Sequence, residues 1–148
     1  MRGPGCLILL VCACGRPADD TGGAVATTTT PTYDTAPAGM SDDQTLWLSY
    51  SSTPDPIAPA EPFTLTFGVF EPDQQTPVTE LTSLVVDATM PEHAHGMNVI
   101  PESTSNGDGT WSASPLEFHM TGHWEITATT VRDGVEDITR FHVDCCVY

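Results

Sequence analysis

Between residues 63 and 69 every second side chain is large and apolar. Phe63, Leu65, Phe67 and Val69 alternate with Thr64, Thr66 and Gly68, and a period of two is useful only to an extended chain with one face buried. The alternation recurs at Leu46, Leu48 and Tyr50, at Leu84, Val86, Ala88 and Met90, and at Trp124, Ile126, Ala128 and Thr130. A last run extends from Ile138 to Val143. Turn formers separate these runs. Asp133-Gly134 is a two-residue hairpin signal, and Asn106-Gly107-Asp108-Gly109 marks another ahead of Thr110-Trp111-Ser112. With 13 Pro and 12 Gly, the chain is interrupted too often for long helices. These features predict one all-β domain over residues 45–148, a single immunoglobulin-like β-sandwich of about seven strands.

The N-terminal part reads differently. Arg2 precedes an apolar run from Cys6 to Ala13, and a run of about eight residues is too short for a bilayer, which needs about 20. Val11-Cys12-Ala13-Cys14 resembles a bacterial lipobox, with Cys12 a less usual occupant of its position. That resemblance implies a signal peptide over 1–13, cleavage before a lipidated Cys14, and an exported protein. Such a protein is lipid-anchored to a bacterial membrane, on its periplasmic or outer-membrane face. Residues 15–44 are rich in Thr, Pro and Asp and hold too little apolar area to offset ordering entropy, so 14–44 is expected to be a disordered tether. A coil of about 30 residues reaches roughly 30 Å.

Cysteine usage follows from this division. Cys6 and Cys12 leave with the signal peptide and Cys14 takes the lipid, so only Cys145 and Cys146 remain. They are adjacent, and three fates stay open: a vicinal disulfide, a bridge to another chain, or a soft-metal site. Twenty acidic residues face four basic ones, all Arg, for a formal charge of −16. That surface repels nucleic acid and anionic headgroups and attracts cations, so no nucleic-acid partner is expected. Solubility alone accounts for most of it.

Two segments depart from the core pattern. Met90-Pro91-Glu92-His93-Ala94-His95-Gly96-Met97 and Phe118-His119-Met120-Thr121-Gly122-His123-Trp124 hold four of the five His and three of the five Met. In extended backbone His93, His95 and Met97 face one way, presenting two imidazoles and a thioether together. The fifth histidine, His142, reads as a lone surface residue. Imidazole suits several transition metals, whereas thioether selects chiefly for Cu(I), so the mixture favours copper over zinc. The expected ligands are His93, His95, Met97 and Met120, with His119, His123 and Met90 in reserve.

The pattern Met90-Pro91-x-His93-x-His95-Gly96-Met97, then Phe118-x-Met120-x-Gly122-x-Trp124 and Phe141-x-Val143, looks like the YtkA-like family. These are small exported β-sandwich domains, related to the FixH-type proteins associated with cytochrome oxidase assembly and copper handling. The resemblance covers roughly residues 45 to 144 and is most specific between 84 and 143. The family stretch typically reads Met-Pro-x-Met-x-His-Gly-Met, so Met90, His95, Gly96, Met97, Met120 and Trp124 carry over. His93 stands where Met is more usual, and His119 and His123 look like additions. These departures shift the ligand set from soft towards borderline, which suits Cu(II) or zinc better than the family pattern does.

Copper binding is therefore the expected function, for sequestration or for transfer to a copper-accepting envelope protein. The competing class is a non-metal immunoglobulin-like interaction module on a membrane-anchored stalk. An enzyme is not expected. The Glu at short spacing that cupins require and the Asp-His that follows the His pair in metallo-β-lactamases are both missing, as is the zinc loop of copper–zinc superoxide dismutases. No Ser–His–Asp arrangement can be argued either.

Overall fold

A computed structural model describes residues 33–146; the expected signal peptide, Cys14 and most of the tether lie outside the described residues. Nine strands run in order along them: β1 (Ala38–Met40), β2 (Trp47–Thr53), β3 (Pro62–Phe70), β4 (Ser83–Met90), β5 (His95–Gly96), β6 (Glu102–Ser105), β7 (Thr110–Glu117), β8 (Gly122–Arg132) and β9 (Val135–Cys145). They form two antiparallel sheets, β1-β2-β3-β7-β6 and β5-β4-β8-β9, packed as a β-sandwich. No helix among the described residues is long and apolar enough to cross a membrane.

Alternation decides which side chains enter the core. Phe63, Leu65, Phe67 and Val69 of β3 are all buried, and so are Leu84, Val86, Ala88 and Met90 of β4 and Trp124, Ile126 and Ala128 of β8. On β7 the buried residues Ala113 and Leu116 are three apart, which strict alternation forbids. A bulge resolves the conflict: Phe63 pairs with Leu116 and Leu65 with Ala113, so Ser114 and Pro115 stand opposite Thr64 alone. Proline suits that place because it has no donor to give the ladder. Aromatic rings fill the space between the sheets, with Phe118 stacked on Trp124 at 4.7 Å and Phe141 edge-on to Tyr50 at 5.1 Å.

The structure has more strands than the roughly seven expected, and it begins earlier. β6 reads Glu-Ser-Thr-Ser and carries no apolar residue, so it leaves no alternation to detect. It is an edge strand, held by the ladder to β7. β1 falls within the segment read as tether. It pairs with β2, placing Gly39 opposite Leu48, and backbone pairing of small residues leaves little trace in a hydropathy pattern. Asp133-Gly134 forms the expected turn, with φ of 53° and 79°, and pairs Arg132 with Val135. Cys145 and Cys146 are joined in a disulfide.

Asp137 fastens the segment after β1. Its carboxylate accepts from Thr45 Oγ1 at 2.6 Å and from the Asp43 backbone N–H at 3.1 Å, beyond a bond to its neighbour Ile138 N–H at 2.8 Å. Burial pushes this carboxyl up, but hydrogen bonds from Ser41, Thr45, Asp43 and Ile138 outweigh it and hold the group below its ordinary value. With the folded value below the unfolded one, the stabilisation is present above the unfolded carboxylate range and is lost as pH falls through the folded value. Asp137→Ala is expected to lose about 2 kcal/mol at pH 7. The difference between the parent and Asp137→Ala shrinks below about pH 4. Urea midpoints of both proteins at pH 7 and pH 3 measure this; an undiminished difference at pH 3 contradicts it.

Candidate metal centre

The two His- and Met-bearing segments meet at one end of the sandwich. β4 ends at Met90, and the chain reverses through Pro91 to Ala94, where the His93 N–H bonds the Met90 carbonyl at 3.1 Å and Ala94 adopts φ 53°. It returns as β5, with His95 opposite Met90 and Gly96 opposite Thr89, and the Met97 N–H continues the ladder to Ala88 O. A Cβ on Gly96 would lie 3.3 Å from the Ala88 carbonyl oxygen, a close approach that suits glycine. His93 therefore sits in the turn, and the extended face expected to carry His93, His95 and Met97 is not formed. The turn still brings the imidazoles together: the His93 and His95 ring centroids are 5.9 Å apart.

The second segment supplies a third ring. His119 follows β7 in the connection to β8, and its ring centroid lies 5.0 Å from that of His95. Trp124 lies beneath both, edge-on to His95 at 5.9 Å and to His119 at 5.4 Å. Its Nε1 donates to the Met120 carbonyl at 3.0 Å, which fixes the loop that carries His119. His93 is exposed and His95 half-buried, so the cluster faces solvent along one edge. One atom stands out chemically. The Nδ1 of His119 is buried and has no hydrogen-bond partner, and an unpaired buried polar atom is costly unless something else satisfies it.

The methionines differ in access. Met90 is fully buried, Met97 is partly buried against the core, and Met120 is 40% exposed. The terminal methyl of Met90 occupies the space a Cβ on Gly122 would need, at 2.8 Å. Gly122 keeps this room open and holds φ at 134°, which side-chain-bearing residues rarely adopt.

His123 does not join this cluster. It neighbours Trp124 on β8, and adjacent strand residues point to opposite faces, so with the indole facing the core the imidazole lies on the outer face of the sheet. There its Nδ1 is 3.0 Å from Asp144 Oδ1 and its Nε2 3.2 Å from His142 Nδ1. His142 is thus not the isolated surface residue expected from sequence. The signal was available: a two-residue turn at Asp133-Gly134 fixes the β8–β9 register, which sets His123 opposite Asp144 and Glu125 opposite His142. Among the described residues, no three His, Cys, Asp or Glu side chains are positioned to hold an ion as they stand.

A YtkA-like family model matches residues 50–129, a span from β2 to β8 that includes both segments of the cluster. The chain belongs to the YtkA-like family. Within this YtkA-like domain the match takes in Met90, His95, Gly96, Met97, Met120 and Trp124. None of the curated proteins matches the sequence. A solved structure, the ZirS C-terminal Domain, aligns over 95% of this chain and 96% of that one, with 15% identity and a TM-score of 0.39.

Gly122→Ala tests the packing under the cluster. It combines a disfavoured φ with displacement of Met90, and it should lower the unfolding free energy by about 1–3 kcal/mol. Chemical denaturation measures the change, and an unaltered midpoint means that Met90 is not held against Gly122.

Proposed function

We propose that this domain binds copper at the His93–His95–His119 cluster and keeps it sequestered or passes it to a partner in the cell envelope. The observation that carries this reading is the buried, unpartnered Nδ1 of His119 beside a second imidazole at 5.0 Å between ring centroids. A metal ion would satisfy that nitrogen, and Met97 and Met120, which flank these histidines in sequence, are the thioether candidates. Met90 is the buried reserve, and His123, on the other face of the sheet, has no part in it. Three imidazoles with thioethers adjacent in sequence suit both oxidation states of copper better than they suit zinc. Copper bound there would be held by nitrogen and sulfur donors, and Trp124 sets the orientation of the loop that carries His119.

The test is titration with Cu(I) and Cu(II) of the chain and of its His95→Ala, His119→Ala and Met97→Ala variants. His95→Ala and His119→Ala are expected to weaken binding of both ions at least tenfold, and Met97→Ala to weaken Cu(I) more than Cu(II). If the parent binds neither ion more tightly than micromolar, the domain is a non-metal interaction module instead.

Export and lipid anchoring through Cys14 belong to the same proposal, because a tethered envelope domain meets copper where thioether ligands compete best. The partners implied are the membrane and a copper-accepting envelope protein, and the domain acts as a binding module with no catalytic step of its own. Cys14→Ser is expected to move the protein out of the membrane fraction or leave it unprocessed. Unchanged membrane association on fractionation removes the lipoprotein reading.

A further inference from the structure

The outer face of the four-stranded sheet carries a second group of imidazoles that the copper proposal does not use. His123 is 8% exposed although it lies on an outward face. The ring of Tyr33 covers it, 3.8 Å between centroids and 12° from parallel, and extends over His142 at 4.7 Å and 30°. The two imidazoles lie side by side under the phenol ring, 20° from parallel, with His123 Nε2 and His142 Nδ1 facing each other at 3.2 Å. On the far edge of His123, Asp144 Oδ1 sits 3.0 Å from Nδ1. A carboxylate only accepts, so Nδ1 carries a proton, and in the neutral imidazole the lone pair is then on Nε2, facing His142.

We propose that His123 and His142 form an all-nitrogen chelate for a borderline divalent transition-metal ion, Zn(II) or Cu(II), with Tyr33 as its cover and Asp144 as its positioning residue. Three features support this. The first is distance. Metal–imidazole bonds are about 2.05 Å, so two nitrogens about 3.2 Å apart subtend an angle of about 103° at a shared ion, close to tetrahedral. The second is the tautomer. Histidine ligands characteristically donate their other ring N–H to a carboxylate, which fixes the ring and raises its basicity, and Asp144 accepts that bond from His123. The third is surroundings: the domain is strongly acidic, and His142 is only half-buried, so an ion and its waters can enter from the solvent side.

In the metal-free arrangement one proton lies between the facing nitrogens. On binding, Asp144 and Tyr33 keep His123 in place, while the half-buried His142 turns to aim its Nδ1 lone pair at the ion and, as a neutral ring, carries its proton on Nε2. Water completes the coordination, because among the described residues no third His, Cys, Asp or Glu side chain converges on the pair. Without thioethers this pair favours divalent ions, whereas the His–Met cluster is suited to Cu(I) as well. The proposal does not depend on copper binding at that cluster.

Zinc(II) is the probe, titrated by calorimetry into the full chain carrying His95→Ala and His119→Ala, with the histidine ring nitrogens followed by NMR. One ion per chain is expected, with the His123 Nε2 and His142 Nδ1 resonances shifting together. Adding His142→Ala, or His142→Gln as a milder change, should weaken binding at least tenfold, with folding checked by circular dichroism. Asp144→Asn should weaken it roughly 10–100-fold, as loss of an orienting carboxylate does elsewhere. Cu(I) uptake by the parent chain should be unaffected by His142→Ala, so the two proposals fail separately. If the His95→Ala, His119→Ala chain takes up no zinc(II) at millimolar concentration, or binds it equally well after His142→Ala, the pair is a hydrogen-bonded strut and the proposal is overturned.

Discussion

The indole of Trp124 joins the core to the candidate site. One of its faces stacks on Phe118 inside the sandwich, its edge meets His95 and His119, and its Nε1 holds the Met120 carbonyl. Complete burial of so large a ring supplies much of the apolar packing at that end of the domain. The single N–H that the ring must satisfy is spent on ordering the loop between β7 and β8. The histidines therefore stand on a rigid base even though their immediate backbone is turn and loop. Trp124 itself, fully buried, is fixed by the core around it.

The same sheet presents chemistry on both faces. β8 carries Trp124 inward and His123 outward, and the two belong to separate groups for no reason beyond the pleat. Across the ladder, β9 brings His142 and Asp144 to His123, and the N-terminal approach adds Tyr33 as a cover. Side-chain chemistry is thereby segregated: Met97 and Met120 adjoin the edge histidines in sequence, and imidazole with carboxylate occupies the outer face. Arg140, two residues before His142 on β9, has its charge taken up by Asp42.

Several parts of the candidate site were legible because the residues announce themselves. Met90, His95, Gly96 and Met97 lie in a compact pattern, and the structure adds the reason for Gly96, which packs close to the Ala88 carbonyl. The reading of His93, His95 and Met97 as one extended face failed because Pro91 to Ala94 form a turn that alternation cannot describe. Proximity in sequence groups His123 with His119, whereas strand alternation beside the buried Trp124 separates them. β1 and β6 leave little mark in the hydropathy pattern because these edge strands are held by backbone hydrogen bonds and need no apolar alternation.

Period-two alternation, hairpin residues at Asp133-Gly134 and a chain broken by Pro and Gly were enough to determine an all-β sandwich and most of its core. These are local preferences, and each residue expresses them against its immediate neighbours. Which histidines meet was decided by contacts distant in sequence. His95 reaches His119 because a turn after β4 and a loop after β7 end at the same edge, and His123 finds His142 through the β8–β9 register. The orphaned Nδ1 of His119 likewise exists only after Trp124 and its neighbours have closed around it. Local pattern chose the face on which each side chain lies, and packing of the two sheets chose its partners.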